Sequence, residues 1–216
     1  MSELKRRLLA LSSDSGDQNQ LAASLDDLDR SHALMTKWEA EPGLADILEE
    51  LYARLLAAFG DLRSVEGLRI LDIACGSSSS HAPPQFHLRT AKGRRPISSP
   101  IGNGFAAVFE PWFPRILLTL GAEPVGVDRG DLSGERFEAY NLDLGQPGAL
   151  DFLPANSFDA VQDSRLFGSP EFRAQFPKAE DRLAVAREIV KQEVRLLKQE
   201  GKVIHSDARD LIRRQA

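Results

Sequence analysis

Apolar residues recur at helical spacing through the first third of the chain. Leu21, Leu25, Leu28, His32 and Met35 are separated by four, three, four and three positions, which predicts one buried face of a helix. Pro42-Gly43 interrupts this pattern. Leu44, Ile47, Leu48, Leu51, Leu55 and Phe59 then form a second stripe, with Asp46, Glu49 and Glu50 opposite and Gly60 as the stop. From Gly67 onward the pattern changes to short, nearly continuous apolar runs of the kind that form buried parallel strands. They are Leu68–Ile73, Pro124–Val127, Phe137–Tyr140, Phe158–Val161 and Gly201–His205. Helix signals separate them, one from Pro111 to Leu120 capped by Gly121 and one from Asp181 to Gln199.

Strands alternating with helices predict an α/β fold: a Rossmann-like, doubly wound, mostly parallel sheet of about five strands. The expected organisation is an N-terminal helical extension, 1–66, followed by an α/β domain, 67–216. Two segments break the alternation. Residues 77–104 are polar, aperiodic and rich in Ser, Pro, Gly and Arg, so they read as a long loop insertion. Residues 129–136 are fewer than the dozen or so that a parallel crossover needs, so a helix there is expected to shrink to a turn.

Composition narrows the class. The chain has 216 residues and a net charge of −5, which argues against a nucleic-acid or membrane-surface binder. The only cysteine, Cys75, makes an internal disulfide or a thiolate zinc site unavailable, and no metal site is expected. Leu8–Leu11 is too short for a signal-peptide core, and no apolar run reaches membrane-spanning length, so a cytoplasmic protein is expected.

The candidate chemistry begins where the first strand enters a turn of small residues, Leu71-Asp72-Ile73-Ala74-Cys75-Gly76-Ser77-Ser78. Small residues let a backbone approach a ligand closely. The carboxyl end of a parallel strand is where open α/β sheets bind ligands. Asp72 lies at the end of an apolar strand, where a carboxylate is costly unless paired. GxxxxGK[ST] is absent and the turn lacks GxGxxG, which weakens nucleotide-hydrolase and dinucleotide-oxidoreductase readings. Further on come Gly126-Val127-Asp128, Asn141-Leu142-Asp143 and Ser157-Phe158-Asp159-Ala160-Val161, the last followed by Gln162, Asp163, Ser164 and Arg165.

In this order the segments resemble the motifs of class I S-adenosylmethionine-dependent methyltransferases, over about residues 67–207. The resemblance implies S-adenosylmethionine as cofactor, a small-molecule methyl acceptor, and a cofactor site of Asp72, Ala74, Cys75, Gly76, Ser77, Asp128, Asp143 and Gln162. Asp128 would take the ribose hydroxyls and Asp143 the adenine amino group; ionised carboxylates are pure acceptors and suit both. Asp163 is the expected catalytic base, with His81 behind it. Ala74 and Ser78 stand where the family has glycine, and a positive φ at Ser78 would be strained. The family's terminal β-hairpin has no room after His205, which would leave the fifth strand as an edge open to a second copy of the chain. The alternative function is a non-catalytic binding or scaffold protein. The other expectations are bland. Cys75 reads as a close-packed turn residue, and His32 and Trp112 as core. The basic run Arg89, Lys92, Arg94 and Arg95 reads as a solvated loop, able to meet a single anionic group.

Overall fold

A computed structural model describes residues 2–78, 87–90, 93–96, 107–164 and 166–215; for 87–90, 93–96 and 170 only the backbone is described. His81, Lys92 and Arg165 lie outside the described residues. In chain order the elements are α1 (Glu3–Leu9), α2 (Ser15–His32), α3 (Leu34–Ala40), α4 (Gly43–Phe59), β1 (Arg69–Ile73), β2 (His87–Thr90) and β3 (Gly93–Pro96). There follow α5 (Trp112–Thr119), β4 (Glu123–Asp128), β5 (Glu138–Asn141), β6 (Phe158–Asp163), α6 (Pro170–Gln175), α7 (Ala179–Leu196), β7 (Leu197–Ser206) and α8 (Asp207–Arg213). The chain divides into two compact units, 1–67 with 76–122 and 68–75 with 123–216. Residues 76–122 therefore group with the N-terminal helices rather than with the sheet.

In the first unit the two expected stripes are helices, with one break. α2 stops at Ala33, whose φ of 52° is left-handed. The Asp29 carboxylate then accepts from the Met35 amide at 2.8 Å and starts α3. The break shifts the buried position from Met35 to Leu34, which is 1% exposed. Leu21, Leu25 and Leu28 are buried as expected. A buried carboxylate, Asp17, ties α2 to the chain after α4 by accepting from the Leu62 amide at 2.9 Å and from the Ser12 hydroxyl at 3.0 Å. Trp112 is core, 1% exposed, and its indole N–H donates to the Ala107 carbonyl at 2.6 Å. His32 packs edge-on against it, and the cations of Lys37 and Arg115 lie over its ring. Within the expected loop, β2 and β3 pair antiparallel, with Arg89 opposite Arg94.

The second unit holds a five-stranded sheet in the order β5-β4-β1-β6-β7, with every pair parallel. It is a Rossmann-like doubly wound arrangement, because the order reverses between β1 and β6. The three central strands are apolar because they are buried: Ile70, Leu71, Ile73, Val127, Ala160 and Val161 are each 0% exposed. One face packs Leu71, Ile73, Val125, Val127 and Val161 against Phe172 of α6, Ala186 and Ile189 of α7, and Ala208 of α8. The link between β4 and β5, residues 129–137, contains only turns, as its length requires.

Three boundaries differ from expectation. β6 continues through Gln162 and Asp163, which the sequence places in a following loop. α7 ends at Leu196 rather than Gln199, and β7 starts at once, pairing Leu197 with Phe158. β7 carries register shifts before Lys202 and before His205, which absorb its extra residues. After β7 the chain forms a helix, α8, and β7 and β5 are the two edges of the sheet.

Candidate functional site

β1, β4 and β6 deliver their last residues side by side. Asp72 is in register with Gly126 on one side and with Gln162 on the other. Side chains alternate along a strand, and register partners share a face. Asp72, Gln162 and Asp128 therefore share one face of the sheet at its carboxyl end, across the β1/β6 reversal. Asp163, in register with Ile73, belongs to the opposite face.

Asp72 is 1% exposed and Gln162 is 0% exposed. The Gln162 amide donates to the Asp72 carboxylate at a long 3.4 Å. The amide oxygen of Gln162 is buried without a hydrogen-bond partner. Leaving a buried polar atom without a partner costs about 1–3 kcal/mol. Asp128 is half-buried and receives the Gly130 amide at 2.8 Å on one oxygen. Its backbone carbonyl takes the Leu142 amide, and Asn141 ties the same loop through the Gly130 carbonyl at 2.6 Å.

The turn after β1 continues the sheet for one residue, because the Cys75 amide donates to the Val127 carbonyl at 3.1 Å. Cys75 is 8% exposed. Burial pushes its thiol well above the ordinary range, and the carboxylates of Asp72, Asp128 and Glu135 push it further. It stays a neutral packing group, as expected. The same effect identifies the end of β1 as a place where three acids concentrate negative potential. A Cβ on Gly126 would lie 2.6 Å from the Phe137 ring and 3.0 Å from the Cys75 sulfur, so this glycine makes room for the thiol.

Backbone strain falls on Ala74 rather than Ser78. Ala74 has φ 61°, a left-handed conformation that costs an L-residue roughly 1–2 kcal/mol. Ala74→Gly is expected to raise stability by about 0.5–1 kcal/mol, the relief exceeding the extra entropy glycine brings to the unfolded chain. Urea denaturation of both proteins checks this, and a less stable variant would refute the strain. Gly76 and Ser77 belong to the first unit. Ser77 is 1% exposed, and Gly76 approaches the backbone of Phe109 and Glu110. The Ser78 hydroxyl accepts from Arg115 at 3.2 Å.

Two expected site residues have protein partners of their own. Asp143 sits in the turn after β5. Burial would raise its carboxyl, but hydrogen bonds from the Gly145 amide at 3.0 Å and from the Gln175 and Gln146 side chains hold it below the usual range. Asp163, the expected base, is 0% exposed. It accepts from the Ser206 hydroxyl at 2.5 Å and from the Ala208 amide at 3.2 Å, which joins it to the start of α8. The structure thus gathers Asp72, Ala74, Cys75, Asp128 and Gln162, and holds Asp163 on the other side of the sheet.

Among the described residues no cluster of acids, histidine or cysteine is arranged to hold a metal ion, and no helix is long and apolar enough to cross a membrane. Comparison of the chain with protein-family models, with curated proteins and with solved structures finds no match.

Proposed function

We propose that the protein binds S-adenosylmethionine at the carboxyl end of β1 and β4 and transfers its methyl group to a small-molecule acceptor. The observation that carries the reading is the shared face of Asp72, Asp128 and Gln162, with the unpartnered Gln162 oxygen among them. These residues fit the cofactor's chemistry. Three acids around Cys75 favour a cation, and the cofactor carries a sulfonium and an ammonium. Asp128 is a carboxylate at the end of β4, and an ionised carboxylate is an acceptor suited to a ribose diol. The Gln162 oxygen suits an N–H or O–H donor. The site needs no phosphate-binding lysine because this cofactor has no phosphate.

When bound, the cofactor supplies an electrophilic methyl group on sulfur. The chain's own residues bind, orient and keep water from the reacting atoms, and positioning of this kind supplies a large share of a bimolecular barrier. Asp163 plays no part in the proposed chemistry, because its carboxylate is buried on the opposite face. Its removal from the acceptor side favours a second reading, ligand binding without turnover.

Titration calorimetry with S-adenosylmethionine and S-adenosylhomocysteine tests the proposal. Binding of both below millimolar is expected. Absence of heat and of competition at millimolar ligand would refute it. Binding without methyl transfer to any of a panel of small oxygen, nitrogen and carbon acceptors would favour the second reading.

A further inference from the structure

On the sheet face opposite the proposed cofactor site, two buried carboxylates meet. Asp163 ends β6 and Glu193 lies on α7, and each is 0% exposed. Around them β7 supplies Ser206, whose hydroxyl donates to Asp163 and accepts the Arg209 amide at 3.2 Å. α8 supplies the Ala208 amide to Asp163 and the Arg209 guanidinium to Glu193 at 2.8 Å. Among the described residues, Asp207 of α8 and His205 of β7 also lie at this junction and pair with each other at 2.9 Å. Asp72 of β1 lies on the other face. Two buried acids thus face one guanidinium, which is itself 34% exposed. Ionising both would leave a buried charge uncompensated, at a cost of several kcal/mol.

We propose that α8 is a pH-sensitive latch, docked on β6 and α7 while the Asp163 carboxyl beside Glu193 keeps its proton and released as that proton leaves. The direction of titration agrees. Burial raises the Asp163 carboxyl to about 8, against the pull of the Ser206 hydrogen bond and with the help of Glu193 and Asp207. An acid whose folded value lies above its unfolded one contributes stability that is complete below the unfolded value, here 3.8, and is lost as pH rises through the folded one. The docked state therefore weakens between about pH 4 and pH 8. Gln162 is the neighbour of Asp163 on β6, so release of α8 loosens the strand end that carries the proposed cofactor contact. The latch itself stands without that cofactor reading.

Hydrogen exchange of peptides spanning 206–215, corrected for the intrinsic pH dependence, tests the latch on the whole chain. Protection of α8 is expected to fall at least about tenfold from pH 6 to pH 8, a factor of ten being one pKa unit of linkage. Protection of β1 should not change in parallel. Glu193→Gln and Asp163→Asn each keep a hydrogen-bonding group of the same shape and should give profiles flat with pH. A flat wild-type profile overturns the proposal, as does a wild-type slope that survives in both variants. If one variant fails to fold, the other decides. If both fail, the wild type decides: a loss confined to α8 supports the latch, and a loss spread over every protected element overturns it.

Discussion

Gly76→Ala is expected to cost about 3 kcal/mol or more of folding stability, the sum of two separate effects. Gly76 has φ 88°, a backbone conformation that costs a Cβ-bearing residue roughly 1–2 kcal/mol. In addition, a Cβ would lie 2.1 Å from the Phe109 carbonyl oxygen and 3.1 Å from its carbon. Those are backbone atoms, which no rotamer change can move aside, and forcing extra volume into a packed region adds roughly 1–3 kcal/mol. Gly60 separates the two effects. Its φ is 86°, but a Cβ there meets nothing within 4 Å. Gly60→Ala should therefore lose only about 1–2 kcal/mol, the conformational part. Chemical denaturation of the wild type and both variants gives the comparison. Equal losses at the two positions would show that the Phe109 approach is soft.

Asp128→Asn is expected to weaken S-adenosylmethionine binding by roughly 10–100-fold, the equivalent of one hydrogen bond to a charged group at about 1.5–3 kcal/mol. The variant keeps the oxygen that receives the Gly130 amide, so the turn after β4 survives. It loses the negative charge and replaces the second acceptor with a donor, the wrong partner for a diol already donating to a carboxylate. Stability should change by no more than about 0.5 kcal/mol, as is usual for a half-exposed position away from the core. Calorimetry on wild type and variant reads both quantities with one instrument when combined with thermal scanning. Unchanged affinity would remove Asp128 from the site while leaving open binding elsewhere on the β1 turn. Loss of affinity together with several kcal/mol of stability would instead assign Asp128 to the turn alone.

The centre of the sheet was legible because β1, β4 and β6 are buried on both faces and so read as continuous apolar runs. Leu68–Ile73 and Pro124–Val127 mark β1 and β4 to within a residue at each end. The end of β6 was harder to read because Gln162 and Asp163 are polar, and polar residues after an apolar run look like a loop. They extend the strand because each has a buried setting that no local pattern encodes: Asp72 beside one, Ser206 and the start of α8 around the other. The same gap separates the expectation of a base at Asp163 from its position on the face opposite Asp72, beside Ser206 and Ala208. Its role depends on the parity of one position, since a single step along β6 exchanges the face of Gln162 for the opposite one. The break at Ala33 was equally hidden, because alanine rarely adopts a left-handed φ and the side-chain cap that accompanies it, the Asp29 carboxylate on the Met35 amide, lies inside the preceding helix. The β2–β3 pairing had no apolar alternation to announce it.

The placement of β1 has a consequence for how the chain is made. Arg69–Ile73 is the central strand, with β4 and β6 as its neighbours, yet those strands begin only at Glu123 and Phe158. On the ribosome, at roughly 5–20 residues per second, β1 would wait several seconds for its first partner and longer for its second. The helices α1 to α4 precede it and contact one another, so they can pack while β1 waits. No hairpin can shelter that strand, since every pairing in its sheet is parallel and distant in sequence. Five residues, four of them wholly or nearly hidden in the finished protein, are thus presented to the cell as an open edge during synthesis. The nascent chain, rather than the folded one, is the form of this protein most in need of a chaperone.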